Sequence, residues 1–447
     1  MVLDTFLHKL MDAARHAGIE AAEAYVASGD SFKAVSAQQE IVQYAVNTSC
    51  GLSLRGLYGD KMGYASTEVM DEEAVGQLVK GVVESASLSE EEDKQFIYAG
   101  EEAYPKVDTY NPALESISPE EKLDFVLNME KAAVNLDPRV KQVQHNTILS
   151  GSGQVRIKNT YGLDISYKGN YCGAYLQPIA REGDKASTAF DITLAHDFSR
   201  LNYQGLAESA VKKAVFGLAG KPVRSGTYRV ILENGAMADL LDTFSGIFSA
   251  ENTQHGLSLL KGRVGETIAA DCVVLMDDPL LPFGEGSRPF DAEGVASRTK
   301  AVIENGVLKT LLHNLKTAQK DGVPTTGNAS KASYSAPVRV SPTNFFIKPG
   351  ADDLKTLMEK MGDGLVITEV SGLHSGANGV SGDFSLLAKG FVVKEGKMGE
   401  PVEQITIAGN FYHLLKGVRA VGNDLKFPGG NIGSPSIDVG EMAVAGA

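Results

Sequence analysis

The sequence predicts an α+β fold in two parts: an N-terminal α+β domain over residues 1–222, then a C-terminal β-rich domain, sandwich or barrel-like, over residues 223–447. Three observations carry that expectation. Helical periods alternate with period-two runs in the first half, short glycine-flanked β runs dominate the second, and Gly220-Lys221-Pro222 separates the two textures with a glycine and proline pair. At ~150 residues per domain, 447 residues suit two or three domains.

The elements follow in order. Val2, Leu3, Phe6, Leu7, Leu10 and Met11 recur at helical spacing in a segment that runs to Gly18, which gives an amphipathic helix with a glycine stop. From Ala22 to Thr67 the period moves toward two, as in Phe32-Lys-Ala-Val35 and Ile41-Val-Gln-Tyr-Ala45, so an antiparallel sheet is expected. Glycines 29, 51, 56, 59 and 63 are read as its turns. A second amphipathic helix spans about 71–87, with Ala74, Val75, Leu78, Val79 and Val82 on one face. After the acidic stretch Ser89 to Lys94, Ser118-Pro-Glu-Glu presents an N-cap and a proline at the first helical position of a helix to about Asn135. Segments 139–150, 153–159 and 163–170 read as successive strands, with Asn159-Thr-Tyr-Gly162 as a hairpin turn, and a last helix covers about 205–218. Beyond Val223, strands are expected at 228–232, 272–276, 301–312, 338–340, 364–370, 390–395 and 404–408, interrupted by one helix at Ala236 to Phe248.

Composition removes several classes of function. The chain is 43% hydrophobic and 22% charged, a globular balance, and its net charge of −14 repels phosphate backbones and anionic lipid, so neither nucleic acid nor a membrane is an expected partner. No run approaches the ~18–20 apolar residues of a membrane span, and Met1 to Met11 lacks the basic start and apolar run of an export signal; a cytoplasmic protein is expected. Cys50, Cys172 and Cys272 are distant from one another and form no CxxC, which argues against a disulfide framework or thiol zinc knot and suggests small buried thiols.

Among the eight histidines, at 8, 16, 145, 196, 255, 313, 374 and 413, no two lie three to five residues apart, so a local helical zinc pair is absent. His374 sits in Gly372-Leu-His-Ser-Gly-Ala-Asn-Gly379, a tightly bent loop able to approach a ligand or, more simply, to cap backbone carbonyls. No GxSxG elbow occurs, and the Gly-Lys pairs at 220 and 396 run into Pro222 and Met398 where a P-loop needs a hydroxyl. Asp277, Asp278, Asp291 and Glu293 could build an acidic hydrolytic site, against the plainer reading of loop capping near Pro279 and Gly294.

The run Val230-Ile-Leu-Glu-Asn-Gly-Ala-Met-Ala-Asp-Leu-Leu-Asp-Thr-Phe-Ser-Gly-Ile-Phe-Ser-Ala-Glu-Asn252 resembles the TldE/PmbA branch of the TldD/TldE metalloprotease family. The likeness continues through Gly262-Arg-Val-Gly-Glu266, Arg288-Pro-Phe-Asp-Ala-Glu-Gly294, Ile303-Glu-Asn-Gly306, Gly372-Leu-His-Ser-Gly376 and Gly382-Asp-Phe-Ser385, and reaches back to Gly51-Leu-Ser-Leu-Arg55. In that family the TldD members carry an HExxxH zinc motif and a cysteine near the C-terminus, and the TldE members lack both.

Counting back from Gly262-Arg-Val-Gly-Glu266, the six motif positions fall on Leu241 to Gly246: Leu241 and Gly246 replace the histidines and Asp242 the glutamate, and no histidine lies between Val230 and Gln254. The segment Val421 to Gly433 has no cysteine. The resemblance therefore implies a chain without a catalytic residue or cofactor of its own. It would serve as the chamber-forming partner of a TldD-type zinc subunit, or associate with itself, in the proteolysis of peptides or unfolded proteins. His374, Asn378 and Asp383 are candidate residues of a peptide-chamber loop. A homodimeric peptide-binding protein that holds extended chains on exposed β-edges without cleaving them, or an independent hydrolase using the four acids, are the alternatives.

Overall fold

The computed structural model describes residues 2–91 and 93–447; Met1 and Glu92, which belong to two of the stretches read above, lie outside the described residues. Helix α1 (Leu3–His16) buries Phe6, Leu7, Leu10 and Met11, the face its periodicity defines. Strands β1 (Ala21–Ala37), β2 (Glu40–Tyr58) and β3 (Lys61–Thr67) follow, then α2 (Glu72–Ser87), whose N-cap Asp71 accepts from Ala74 N. Helix α3 (Pro119–Leu136) starts in a full capping box between Ser118 and Glu121. Strands β4 (Val140–Asn159), β5 (Asp164–Glu182), β6 (Lys185–Thr188) and β7 (Asp191–Ala195) precede α4 (Tyr203–Gly217).

These seven strands form one antiparallel sheet in the order β3-β2-β1-β4-β5-β6, with β7 also on β5. Alternation assigns its faces. Ala22, Ala24, Val26, Leu52 and Leu54 meet α1 and α2, and Phe32, Ala34, Ile148 and Ala174 meet α3 and α4. The opposite face carries Glu23, Tyr25, Ser53, Arg55, Ile157 and Tyr167, and it packs against the C-terminal half through Phe290, Glu293 and Lys331.

Three sequence expectations change here. Four of the five glycines read as turns lie inside strands, and only Gly59, at φ 57°, turns the chain. Gly63 is where β3 touches α2: an added Cβ would sit 1.9 Å from the Val82 carbonyl oxygen. The expected break at Gly151-Ser-Gly153 is absent, because β4 runs unbroken for 20 residues. Of the three cysteines, all free, only Cys172 is buried; Cys50 and Cys272 are exposed, since Cys50 lies where β2 has lost its outer neighbour and Cys272 lies in a surface turn.

The second half contributes β8 (Gly226–Leu232), α5 (Asn234–Phe244), α6 (Ala250–Gln254), β9 (Leu275–Asp277), β10 (Lys300–Glu304), β11 (Val307–Leu308), α7 (Leu315–Asp321), β12 (Ala329–Ser330), β13 (Arg339–Val340) and β14 (Phe345–Ile347). It continues with α8 (Leu354–Met361), β15 (Gly364–Ser371), α9 (Leu373–Gly376), β16 (Asp383–Lys394), β17 (Lys397–Asn410), α10 (Phe411–Gly417), β18 (Ala420–Val421), β19 (Ile432–Gly433) and β20 (Ile437–Ala445). Strands β17-β16-β15-β8-β20 close on themselves through the β17–β20 pairing, so the barrel-like alternative is the one realised. A five-stranded sheet, β11-β10-β9-β14-β19, lies beside it, and α5 packs against both β15 and β19. The single expected helix is one of several, because helices of seven or eight residues such as α7, α8 and α10 show too few turns to establish a period. Among the described residues no helix is long and apolar enough to cross a membrane.

Candidate functional site

Helix α5 is the natural place to test for a metal, since two of the three positions that the resemblance implies, Leu241 and Asp242, lie on it. Its N-terminus is tied to the C-terminal segment by Asn234, whose Nδ2 donates to Asp424 O at 3.2 Å and Oδ2 at 3.1 Å. Its apolar side, Met237, Leu240, Leu241 and Phe244, has no exposed surface and enters the main core, where Phe244 stacks on Phe411 with centroids 4.7 Å apart. Helical hydrogen bonding ends at Phe244, and Ser245–Phe248 form a 3-10 turn. Leu241 is thus sealed in the core, Asp242 is exposed, and Gly246 lies in the turn, where Asn252 Nδ2 donates to its carbonyl at 2.8 Å. Zinc needs about three donors and, for catalysis, an open position. Residues 241, 242 and 246 offer one carboxylate, so they do not fit it. Among the described residues no three His, Cys, Asp or Glu side chains are grouped as a metal site.

Several carboxylates stand on and beside this helix. Burial, then Asp242 and Glu369, pushes Asp239 up to about 6, and burial also raises Glu233. The loop expected to line a chamber lies close by, because Phe384 packs on Phe244 at 6.2 Å. Within it His374 is exposed on the single turn of α9. Asn378 Oδ1 accepts from Val380 N and Ser381 N, both at 3.0 Å, and Asn378 N donates to Asp383 O. The Asp383 carboxylate accepts from Asn410 Nδ2 and Ser381 Oγ, which hold it below the usual range. Asn378 and Asp383 therefore shape the loop, and His374 is exposed on it.

The four acids of the alternative hydrolytic site do not converge on open space. Asp277, fully buried, holds Lys300 Nζ at 2.8 Å, Asn328 Nδ2, and the N–H and hydroxyl of Thr343. Asp278 accepts from Leu280 N and Thr299 Oγ1. Asp291 accepts three backbone N–H groups, while burial and Glu293 push it upward. Glu293 pairs with Arg55 at 2.9 Å and accepts from Leu315 N. Local capping accounts only for the bonds of Asp278 to Leu280 N and of Asp291 to Glu293 N and Val295 N; the remaining bonds tie together segments distant in the chain.

Sequence reasoning missed the group around Arg55. Its guanidinium bridges Glu23, at 2.8 Å, and Glu293, joining the N-terminal sheet to the C-terminal half. Burial raises Glu23 against the opposing pull of Arg55. Beside them Lys331 donates to Ser53 Oγ at 2.8 Å, and burial lowers it to about 8. The available signal was a charged residue at period two inside otherwise small or apolar strands, at Glu23 and Arg55. A cavity of about 700 Å³ lies between β7 and the C-terminal half, lined by His196, Phe283, Glu285, Phe427 and Gly430 among others. His196 Nε2 faces Glu285 Oε1 there at 3.3 Å. This cavity borders the segment in which the family resemblance looks for a cysteine.

Family models of the PmbA/TldA metallopeptidases match three consecutive stretches: domain 1 at residues 22–86, the central domain at 112–217 and the C-terminal domain at 225–446. The chain belongs to the PmbA/TldD metallopeptidase family. A Haemophilus influenzae metalloprotease PmbA homologue is 27% identical over 94% of this chain and 90% of its own length. A crystal structure from Thermotoga maritima, described as a candidate modulator of a DNA gyrase, superposes with a TM-score of 0.92 at 33% identity over 99% of this chain and all of that one. TldE from Thermococcus kodakarensis shares the fold, with a TM-score of 0.88 at 24% identity over 99% of this chain and 100% of its own.

Proposed function

We propose that this chain is a TldE-like subunit of a metalloprotease of the PmbA/TldD type. It lacks a zinc site of its own and forms part of the chamber in which a TldD-type zinc subunit cuts peptides or unfolded proteins in the cytoplasm. The observation that carries the reading is the position of Leu241, a fully buried apolar side chain where the motif would place the first histidine, with Gly246 offering no donor at the second. The protein pairs with the zinc subunit or with itself through its C-terminal half, and neither nucleic acid nor membrane takes part.

Metal analysis and peptidase assays test this on the protein alone and mixed with a TldD-type subunit. The isolated chain is expected to hold no stoichiometric zinc and to cut nothing, and the mixture to cut. One zinc per chain, retained through a chelator and needed for hydrolysis, overturns the reading; so does a TldD-type subunit that is fully active alone and stays separate by light scattering.

A second reading, peptide holding without cleavage, has one observation in its favour. Strand β3 covers β2 only from Leu52 onward, so residues 40–51 form an unpaired edge with no charge between Ile41 and Gly51 and with Val42, Tyr44 and Val46 exposed. An extended peptide could add there as a strand. Binding of unfolded chains by the isolated protein, unchanged by a zinc subunit that fails to associate, would favour it.

A further inference from the structure

A cavity of about 780 Å³ opens on the C-terminal half, and Leu241, Asp242 and Gly246 are not among the residues that line it. Its walls come from the segment after Leu260, the start of β10, the chain after β11 and the loop after α7. In a protein of net charge −14 the charges around it run the other way: Lys261, Arg298, Lys300 and Lys309 line it, against the single acid Asp321.

These cations are not equally engaged. Lys300 Nζ is fixed at 2.8 Å from Asp277 and 3.1 Å from Asn328 Oδ1, and Lys309 lies 3.6 Å from the exposed Glu304 carboxylate. Lys261 and Arg298 enter no ion pair among the described residues, and both are exposed. The one acid is already occupied, since Gln254 Nε2 donates to Asp321 at 2.9 Å. His313, 4% exposed and lining the same space, keeps Nδ1 buried without a hydrogen-bond partner among the described residues, and burial lowers its affinity for a proton. Val264, Leu311, Val323 and Pro324 add an apolar wall.

Unpaired cations cost little at a wet surface, but two on the wall of one concavity, with Lys300 and Lys309 beside them, favour an anion within it. The volume is that of an organic ligand and far exceeds that of a bare inorganic ion, and the apolar wall beside the charges suits a chain in which acidic and aliphatic side chains alternate. We propose that this cavity binds an acidic segment of an extended peptide, with Lys261 and Arg298 meeting its carboxylates and the wall of Val264, Leu311, Val323 and Pro324 meeting its aliphatic side chains. This deepens the peptide-handling part of the proposed function and rests on it for the nature of the ligand. It requires neither zinc nor a partner subunit.

The test uses the full chain alone and fluorescence anisotropy with three labelled octapeptides of one pattern, carrying Glu, Gln or Lys at alternate positions between Leu residues. The Glu peptide is expected to bind at least tenfold more tightly than the Gln peptide and to weaken as salt rises. The double variant Lys261→Glu/Arg298→Glu should erase that preference, while Arg298→Lys keeps most of it. Both substituted side chains are exposed, and melting curves check that the fold is intact; the comparison of Glu and Gln peptides on the unaltered protein stands even if the double variant fails to fold.

Equal binding of Glu and Gln peptides, or an undiminished preference in a folded double variant, overturns the proposal. Displacement of the Glu peptide by inorganic phosphate below 1 mM, on the order of a specific phosphate site, overturns the peptide assignment. A chain that passes this test but never supports cleavage leaves the inference standing and removes the subunit role; the converse outcome separates them in the other direction.

Discussion

Replacing Leu241, Asp242 and Gly246 by His, Glu and His rebuilds the family's zinc motif in the sequence, and the structure predicts that this does not rebuild a zinc site. Leu241 has no exposed surface. Removing a buried leucine side chain costs about 2–5 kcal/mol, and an imidazole left there without a partner adds about 1–3 kcal/mol for the buried polar group. A loss of about 3 kcal/mol or more is a large part of the ~5–15 kcal/mol that holds a domain folded.

Geometry compounds the loss. On an ideal helix the two histidines would stand about 140° apart, and because the chain passes into a 3-10 turn at Ser245, with its wider angle per residue, the separation widens to about 180°. Position 246 itself is lenient, since an added Cβ meets only the Asn252 side-chain amide, at 3.1 Å. The third ligand is still missing. Because β19 packs against α5, a cysteine placed between Gly429 and Gly433 is the partner most able to supply it.

Zinc titration by calorimetry and urea unfolding of the triple variant, with and without that cysteine, read both effects. The triple variant alone is expected to unfold at lower urea and to bind zinc far more weakly than a complete structural site, whose apparent binding energy is about 10–16 kcal/mol. Tight equimolar zinc binding with peptide hydrolysis by the triple variant alone would refute the argument, because it requires the core to open at position 241.

Arg55→Met should destabilise the protein by about 3–5 kcal/mol, since it strands two buried carboxylates, whereas adding Glu23→Gln and Glu293→Gln should recover much of the loss; urea midpoints of the two variants decide it. Asp239 is neutral in both states only well below its unfolded value of 3.8, and its folded-state value near 6 means that stability is lost as pH rises through 3.8 toward about 6. The gap from 3.8 to about 6 corresponds to about 3 kcal/mol, which solvent around the half-buried group reduces to about 1–2 kcal/mol. Asp239→Asn should therefore raise stability by that amount at pH 8 and by only a few tenths of a kcal/mol, about zero, near pH 3, and a gain of equal size at both pH values would exclude the carboxylate as its source. Gly63→Ala should lower stability by about 2–3 kcal/mol, because its methyl group meets the Val82 backbone and α2 must lift from β3; an unchanged melting temperature would show that the contact is looser than drawn.

Local signals were legible where their causes are local. The apolar period of α1, its stop at Gly18 with φ 79°, and the Ser118 capping box all depend on residues within one or two turns. The β1–β2 turn carries no such signal. Gln38 and Gln39 both take positive φ without a glycine, and they are held by buried Glu130, whose carboxylate accepts from Gln38 N at 2.7 Å and Gln39 N at 3.2 Å across more than ninety residues of chain. Glycine misled for a related reason. Gly29, Gly153 and Gly169 stand in register on three neighbouring strands, a row where the backbone can bend while the ladder continues, so a residue read as a break is instead part of the sheet. Strand β20 alternates buried and exposed residues from Glu441 onward, but its place as the strand that closes the barrel depends on pairing with both β8 and β17.

The candidate site divides along the same line. Counting from Gly262-Arg-Val-Gly-Glu266 proposes Leu241, Asp242 and Gly246 as the motif positions from spacing alone. What those positions mean physically depends on packing from elsewhere: Phe411 stacked on Phe244, Phe384 beside it, and the closed barrel and the five-stranded sheet on either side of α5. A histidine that binds zinc must reach an open position, whereas Leu241 helps to close the core. On the proposed assignment the leucine both withholds a ligand and fills the place where a metal would stand, so changing ligands alone does not give a metal centre here. The surrounding core has to be repacked with them.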